Sequence, residues 1–285
     1  RELAAIGANV TLYDNPFIPY DDKYTTPMFS FFKFETIDQF AQRGMELFAE
    51  MLTHPRFDST EVEKVRQGII GTLMRESSAP GPTARRAFYS SMFGEKAYGR
   101  SVAGNAMSIG SITVADLRAH HARFYSPENL VIVIGTSQPT DTVITWVTAL
   151  FGGLPRSGQP LSVAEPPDPI AATQTNHVEL NKEQMAIYLG SPLPGSGDPD
   201  AVSLELATAI LSDRLQSNLR EKQGLAYSVG ASLWLDKDFG WYLCSMGTSA
   251  PKYQQALDGI ILEIDKLRLD GPTTDEVDKA RNQLW

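Results

Sequence analysis

The strongest constraint in this sequence is an internal repeat. The stretch F-A-Q-R-G-M-E-L-F-A-E-M-L, from Phe40, resembles the stretch Y-Q-Q-A-L-D-G-I-I-L-E-I-D, from Tyr253. E-V-E-K-V-R from Glu61 likewise resembles E-V-D-K-A-R from Glu276, so the offsets are 213 residues (253 minus 40) and 215 residues (276 minus 61). Amphipathic helices can resemble one another by chance. The shared order of strand, strand, helix and capped helix nevertheless favours a duplicated domain over a solenoid unit.

The repeat predicts two domains of the same kind. Strand patterns precede helix patterns in both halves, as in Gly7 to Tyr13 and Met28 to Phe34 of the first half. This order is typical of an α+β fold. Residues 152–176 are rich in Pro and Gly, which favours a linker. We therefore predict a first domain at 1–151, a linker at 152–176 and a second domain at 177–285.

Comparison of the two halves also predicts that the first domain is incomplete. Residues 177–217 carry a strand pattern and a helix pattern that have no counterpart before Arg1. We expect the first domain to lack this opening strand and helix, and the last helix to be cut at Trp285.

Local signals mark several helix starts and one buried strand. A capping box is a Ser or Thr followed three residues later by an acidic residue, and it favours a helix start. The chain has this pattern at Thr60-x-x-Glu63, Thr113-x-x-Asp116 and Thr273-x-x-Glu276. Asn129 to Gly135 reads N-L-V-I-V-I-G, a continuous apolar run typical of a strand that is buried on both faces.

Composition excludes some classes of function and leaves others open. The net charge of -9 argues against a nucleic-acid partner, because phosphate binding needs clustered Lys and Arg. The single cysteine, Cys244, allows no intrachain disulfide and no thiolate metal cluster. One cysteine is compatible with both the cytosol and the periplasm. No apolar run approaches the roughly 20 residues of a membrane-spanning helix, so we predict no transmembrane segment.

The most specific motif of the chain is L-R-E-K-Q-G-L-A-Y-S-V, from Leu219 to Val229. It resembles the signature of the second domain in the pitrilysin/insulinase family of zinc metallopeptidases, which includes the mitochondrial processing peptidases. The resemblance implies duplicated α+β domains, each an antiparallel sheet with helices packed on one face. Supporting stretches in the right order are A-Y-G-R-S-V-A-G, F-Y-S-P-E-N-L-V-I-V-I-G, L-F-G-G-L-P, Q-M-A-I-Y-L-G and T-T-D-E-V-D-K-A-R.

The same resemblance implies where a zinc ion would be held in active relatives. The family binds zinc through H-x-x-E-H on one helix and a glutamate on a later helix. This chain has no H-x-x-E-H, and the register from Glu61 places Thr72 at the position of the later glutamate. A hydroxyl is a poor zinc ligand beside a carboxylate, and the nearest glutamates are Glu63 and Glu76. We therefore expect no metal and no other cofactor in this chain, with zinc in a catalytic partner or a missing segment.

Arg220 and Tyr227 match the pair of second-domain residues that the family uses beside its active site. The resemblance implies that they grip the substrate backbone and stabilise the tetrahedral intermediate. Taken alone, they could equally be a solvated charge at a helix end and an ordinary strand aromatic. Leu211 to Arg214 is short and free of glycine, whereas relatives have a glycine-rich loop there. The resemblance therefore does not determine the shape of the substrate groove.

The resemblance implies a zinc-free, substrate-binding subunit or portion of a metallopeptidase. Such a chain would be inactive alone and would close over a peptide with a zinc-bearing homologous subunit or in a homo-oligomer. Two alternatives stay open. The protein could be a self-sufficient zinc metalloendopeptidase whose H-x-x-E-H lies upstream of Arg1, or it could be a structural core-type subunit without activity.

Overall fold

The computed structural model describes residues 1–13, 30–158 and 163–284. The chain divides into two compact units, each built from two stretches. Unit 1 comprises Arg1–Leu73 and Val102–Val163, and unit 2 comprises Met74–Ser101 and Ala164–Trp285. Residues 74–101 therefore join the unit that contains the whole of the predicted second domain, 177–285. The boundaries at 1–151, 152–176 and 177–285 follow the sequence repeat rather than compactness, and they stay a prediction.

Unit 1 contains a two-stranded antiparallel sheet, β1 and β2. Its register pairs Asn9 with Glu35 and Tyr13 with Phe31. β1 lies within the predicted strand Gly7 to Tyr13. β2 overlaps the predicted strand Met28 to Phe34 and ends one residue later, and Met28 and Phe29 lie outside the described residues. The elements of this unit are α1 (Glu2–Ala5), β1 (Asn9–Tyr13), β2 (Phe31–Glu35), a short 3-10 helix (Asp38–Phe40), α2 (Ala41–Thr53), most of α3 (Ser59–Ser77), α5 (Ala106–Ser111), α6 (Val114–Phe124) and α7 (Thr140–Phe151).

The core of unit 1 lies between α2 and α7. Ala49, Leu52 and Phe151 are buried there, and half-buried side chains such as Phe32 and Ile132 pack against them. Hydrogen bonds from side chains add to this packing. His121 shares a 2.7 Å hydrogen bond with the carbonyl of Leu52.

The apolar run from Asn129 to Gly135 is not a buried strand. It has no strand assignment, and Val131 and Val133 are each 89% exposed. Ile132, between them, packs against the core of unit 1. The prediction was wrong because burial of both faces needs neighbours on both sides, and β1 and β2 pair only with each other among the described residues.

Unit 2 is built on a three-stranded antiparallel sheet in the order β3-β5-β4. The central strand pairs Gly247 with Ala186 of β3 on one side and with Ser228 of β4 on the other. The elements of this unit are α4 (Pro80–Phe93), a 3-10 helix (Ala97–Gly99), β3 (Gln184–Pro194), α8 (Ala201–Leu215), a π-helix (Gln216–Lys222), β4 (Ser228–Leu235), β5 (Phe239–Ser249), a 3-10 helix (Ala250–Lys252), α9 (Tyr253–Asp270) and α10 (Thr274–Leu284).

Helices cover both faces of this sheet. Successive side chains of a strand point to opposite faces. Cys244 and Met246 of β5 share a buried cluster with Leu215 of α8 and Ile260 of α9. Trp241 is an odd number of residues away from both Cys244 and Met246, so its side chain points to the other face. There it packs with residues of α4 in an aromatic cluster that contains Phe88, Tyr89, Phe93, Tyr98, Phe239 and Trp241. This second cluster is the reason that residues 74–101 belong to unit 2.

The caps confirm two of the three predicted helix starts. Thr113 and Asp116 form a reciprocal capping box at α6, and Thr273 and Glu276 exchange the same bonds at α10. The box predicted at Thr60 is wrong, because the carboxylate of Asp58 accepts hydrogen bonds from the backbone N–H groups of Thr60 and Glu61. Asp58 is an equally good cap residue and lies two positions earlier.

The predicted fold class, α+β with antiparallel sheets, is confirmed. The expected packing of helices on one face only is wrong for unit 2, where α8 and α9 lie on one face of the sheet and α4 on the other. The duplication of the domain stays a prediction. Helix α4 was not predicted, since Pro80 and Pro82 indicate a break, yet proline is well tolerated in the first turn of a helix. Within the described ranges, no helix combines the length and apolar character that a membrane span requires.

Candidate functional site

The predicted site residues lie where α8 ends and β4 begins. The helix α8 continues without a break into the π-helix Gln216–Lys222. Leu215 and Leu219 are 0% and 1% exposed and anchor this segment in the core of unit 2. Arg220 lies beside them in sequence but is exposed. Runs of π-helix are rare and occur often at functional sites.

Gly224 ends this helical segment and redirects the chain into the sheet. Its φ of +60° lies in the left-handed region that favours glycine. The N–H of Gly224 donates to the carbonyl of Arg220 at 3.2 Å, and the N–H of Leu225 donates to the carbonyl of Leu219 at 2.8 Å. These bonds use carbonyl groups that the helix end would otherwise leave without partners.

Two side chains from β5 and the helix after it brace the same turn. The hydroxyl of Thr248 is buried and donates to the carbonyl of Leu225 at 2.7 Å. The ammonium group of Lys252 donates to the carbonyl of Gly224 at 2.8 Å. The backbone between Arg220 and Tyr227 is therefore fixed by partners that lie more than 20 residues further along the chain.

Tyr227 is 56% exposed and lies one residue before β4 begins at Ser228. Its N–H donates to the carbonyl of Gly247 at 3.3 Å, which extends the strand pairing by one residue. Arg220 lies in the last turn of the π-helix, and Tyr227 directly precedes β4. Both residues belong to unit 2 and both are open to solvent.

An ion pair that the sequence analysis missed lies beside this segment. The guanidinium of Arg214 donates to both carboxylate oxygens of Glu276, at 2.6 and 2.8 Å, and to the carbonyl of Gly271 at 3.0 Å. The hydrogen bond from Arg214 is the main reason that the pKa of Glu276 is lowered to about 2. The pair ties α8 to α10 and lines an open cleft of about 510 Å³. The two residues are 62 positions apart, so no local pattern could have indicated their contact.

The cleft has a mixed lining. Glu263 is 3% exposed and forms an ion pair with Lys266 at 3.1 Å. Lys279 pairs with Asp213 at 2.7 Å. Four cationic and four carboxylate side chains line the opening, so neither sign of charge dominates the cleft: Arg214, Lys222, Lys266 and Lys279, and Asp213, Glu263, Asp270 and Glu276.

The predicted third-ligand position does not offer a zinc site. Thr72 is exposed on α3. Glu63, one of the nearest carboxylates, accepts hydrogen bonds from Gln67 at 2.7 Å and from Arg66 at 2.9 Å, which lower its pKa. Within residues 1–13, 30–158 and 163–284, no three His, Cys, Asp or Glu side chains come together as metal ligands. Burial raises the pKa of the Cys244 thiol to about 12, so it is an inert core residue.

Comparison with known proteins agrees with the resemblance. The profile described as "Peptidase M16 inactive domain" matches residues 111–284, more than half of the chain. An uncharacterized zinc protease of Mycobacterium bovis is 27% identical over 247 residues, which is 85% of this chain and 56% of that protein. The chain thus spans just over half the length of this curated relative.

Solved structures show the same fold. The crystal structure of a peptidase M16 inactive domain from Pseudomonas fluorescens has a TM-score of 0.85 at 24% identity, over 99% of this chain and 67% of that chain. A protease from Helicobacter pylori has a TM-score of 0.79 at 18% identity, over 99% of this chain and 68% of that chain. Together with the matched profile, this shows that the chain belongs to the peptidase M16 (pitrilysin/insulinase) family and contains its inactive domain.

Proposed function

We propose that this chain is the substrate-holding, zinc-free part of an M16-type metallopeptidase. In this proposal, it closes over a peptide together with a zinc-bearing homologous chain, or within a homo-oligomer, and it is inactive alone. The observation that carries the proposal is the turn from Arg220 to Tyr227. It presents two exposed hydrogen-bond donors on a backbone that Gly247, Thr248 and Lys252 hold in place.

The two side chains suit the recognition of a peptide and of the charge that develops during its hydrolysis. The guanidinium of Arg220 is a cation with five N–H donors. The phenol of Tyr227 adds a neutral donor. Donors of this kind stabilise an oxyanion best when their geometry is fixed before the reaction. The bonded turn fixes the backbone from which both side chains extend.

The zinc-free part of the proposal rests on the donors at the predicted ligand position. Thr72 offers a hydroxyl where the family has a carboxylate. Zinc in proteins is held by thiolate, imidazole or carboxylate ligands. The residues at this position do not fit a zinc site, so no step of the proposed chemistry passes through a metal held by this chain.

The names of the relatives favour a second candidate function, a metallopeptidase that carries its own zinc motif. The curated relatives are called zinc proteases, and this chain matches just over half of one of them. In that candidate, the H-x-x-E-H motif lies in the same polypeptide upstream of Arg1. Arg220 and Tyr227 keep the same role in both candidates, and only the source of the zinc differs.

The test uses the full-length protein with fluorescein-labelled casein as an unfolded polypeptide substrate. Hydrolysis is measured for the full-length protein alone and after addition of zinc-bearing homologues from the same genome. The double variant Arg220→Ala, Tyr227→Phe should lower kcat/KM by roughly a hundredfold or more, as loss of an oxyanion donor typically does. The matched control is Arg118→Ala, which removes an exposed arginine from α6 and should leave kcat/KM unchanged.

The proposed role of the pair is wrong if the double variant retains full activity while the wild-type protein is active. Metal analysis of the dialysed chain, residues 1–285, tests the zinc-free part separately. We expect no stoichiometric zinc, and an equimolar, tightly held ion would overturn that part. Activity of the full-length protein alone would select the second candidate.

A further inference from the structure

The central strand of unit 2 lies directly beneath Tyr227. A Cβ atom placed on Gly247 would lie 2.2 Å from Cζ of Tyr227, 2.4 Å from its hydroxyl oxygen and 2.6 Å from Cε1. These distances are far below van der Waals contact, so the phenol ring occupies the space that any side chain at position 247 would need. The ring therefore rests on bare backbone, with its hydroxyl over the strand.

The backbone beneath the ring has little freedom to move. Gly247 is in the middle strand, and its Cα partners are Ala186 in β3 and Ser228 in β4. Its carbonyl accepts the N–H of Tyr227 itself. A shift of β5 could not make room for a side chain at Gly247, because it would break the hydrogen bonds to the strands on both sides. The phenol ring of Tyr227 would have to move instead.

The next residue of β5 holds the same turn from the other side of the strand. Side chains alternate along a strand, so Thr248 points to the face opposite the Tyr227 ring. Its side chain is buried, with the residue only 2% exposed, and its hydroxyl donates to the carbonyl of Leu225. Two consecutive residues of β5 thus determine the position of Tyr227. Gly247 leaves room for its ring, and Thr248 holds the turn through a hydrogen bond.

We propose that Gly247 is a positioning residue for Tyr227, and that Thr248 supports it by fixing the turn on which Tyr227 stands. This inference rests on the proposed function, in which Tyr227 donates to the substrate. Gly247 is needed for space rather than for backbone conformation, because its φ does not lie in the left-handed region. Any side chain there lifts the phenol away from the position that the bare strand sets.

The test compares Gly247→Ala in two backgrounds of the full-length protein, assayed on labelled casein with the zinc-bearing homologue. In the wild-type background, it should lower kcat by roughly ten- to a hundredfold with a smaller change in KM, as displacement of a catalytic group by about 1 Å can do. In a Tyr227→Ala background, it should cause no further loss. The matched control is Gly230→Ala on β4, where the nearest atom to the added Cβ is Oγ of Ser212 at 3.2 Å.

Thr248 provides the second measurement. Thr248→Val removes the hydroxyl at nearly constant volume and should lower kcat, whereas Thr248→Ser keeps the hydroxyl and should restore most of it. If Gly247→Ala alone does not fold, the Tyr227→Ala, Gly247→Ala double variant should fold, because the space is then free. Failure of that double variant to fold would show that something other than Tyr227 excludes a side chain at 247, and the inference would be overturned.

The outcomes separate this inference from the proposed function. If Tyr227→Ala leaves activity unchanged, the proposed function fails. If Tyr227→Ala impairs activity and Gly247→Ala does not, or if Gly247→Ala impairs both backgrounds equally, the positioning role alone is overturned. A loss confined to the background that retains Tyr227 supports both.

Discussion

The helix-to-strand turns at Gly7 in unit 1 and Gly224 in unit 2 share a backbone geometry but enter different sheets. Gly7 has a φ of +61° and Gly224 a φ of +60°. In both turns, the residue after the glycine donates its N–H to a carbonyl near the helix end, at 2.8 Å. The following strand joins a two-stranded sheet in unit 1 and a three-stranded sheet in unit 2. Local sequence sets the turn, and the number of paired strands decides how much apolar surface is buried.

The effect on burial is clear in the apolar residues of the two units. In unit 2, Trp241 on one face and Cys244 on the other are both nearly inaccessible to solvent. In unit 1, the apolar segment with Val131 and Val133 leaves both side chains exposed. Apolar residues are therefore buried more completely in unit 2 than in unit 1. Substitutions of these residues should lower the free energy of unfolding more in unit 2.

The largest difference is expected for the aromatic cluster of unit 2. Trp241→Ala should destabilise the chain by about 3 to 5 kcal/mol, because it leaves a cavity between α4 and the sheet. Phe32→Ala in unit 1 should cost clearly less, since that side chain is half-buried. Unfolding in guanidinium, followed by circular dichroism, measures both. The control is Trp241→Phe, which keeps a ring and removes an indole N–H that has no hydrogen-bond partner among the described residues. Equal losses for Trp241→Ala and Phe32→Ala would contradict the comparison.

The next difference concerns two glutamates that the repeat places in equivalent positions, Glu276 and Glu61. Glu276 accepts two hydrogen bonds from Arg214, whereas Glu61 pairs with Lys64 where both side chains are about two-thirds exposed. Glu276→Gln should cost about 1.5 to 3 kcal/mol, typical of hydrogen bonds to charged groups. Glu61→Gln should cost less than about 0.5 kcal/mol.

The pH dependence follows from the lowered pKa of Glu276. Its folded value of about 2 lies below the roughly 4.3 of an unfolded glutamate, so the pair contributes fully above about pH 5. The contribution is lost as the pH falls through 4 towards 2. The gap in unfolding free energy between wild type and Glu276→Gln should close over that range. A gap that is constant from pH 7 to pH 3 would show that the ion pair is not its source.

The two glycines should respond alike if the turns are equivalent. Gly7→Ala and Gly224→Ala should each cost about 1 to 2 kcal/mol, the usual penalty for a side chain in the left-handed region. In the part of the chain that the structure describes, neither added Cβ would meet another atom within 4 Å, so steric contact adds no difference between the two variants. Denaturant unfolding of the two variants measures the costs, with Gly68→Ala on α3 as a control that should stabilise slightly. A difference of more than about 1 kcal/mol would break the equivalence.

The smallest effect is expected for the exposed apolar segment of unit 1. The double change Val131→Thr, Val133→Thr should alter the unfolding free energy by less than about 0.5 kcal/mol, because both side chains already face solvent. Ile132→Thr, between them, should cost more, since Ile132 packs on the core. Denaturant unfolding of the two variants compares them. A large loss for the double valine variant would mean that these residues are buried in solution.

Much of the fold was predictable because its signals are local. The capping boxes at Thr113 and Thr273 and the helical periodicity after Phe40 each lie within one or two turns of chain. The turn that carries Arg220 and Tyr227 was predictable for the same reason, since Gly224 marks the helix end. Helix α4 escaped prediction because its first turn contains two prolines. Its place in unit 2 depends on rings from β5 that are far away in sequence.

The sequence by itself determined the family, the α+β class, the capped helices and the position of the candidate pair. These follow from short-range patterns of apolar spacing, caps and turn residues, which act through neighbouring backbone groups. Only the tertiary structure decided the burial of the strands, the Arg214–Glu276 ion pair and the contact between Gly247 and Tyr227. The physical reason is that burial and pairing depend on which distant segments come into contact. The local sequence around a residue does not indicate which distant residue that will be.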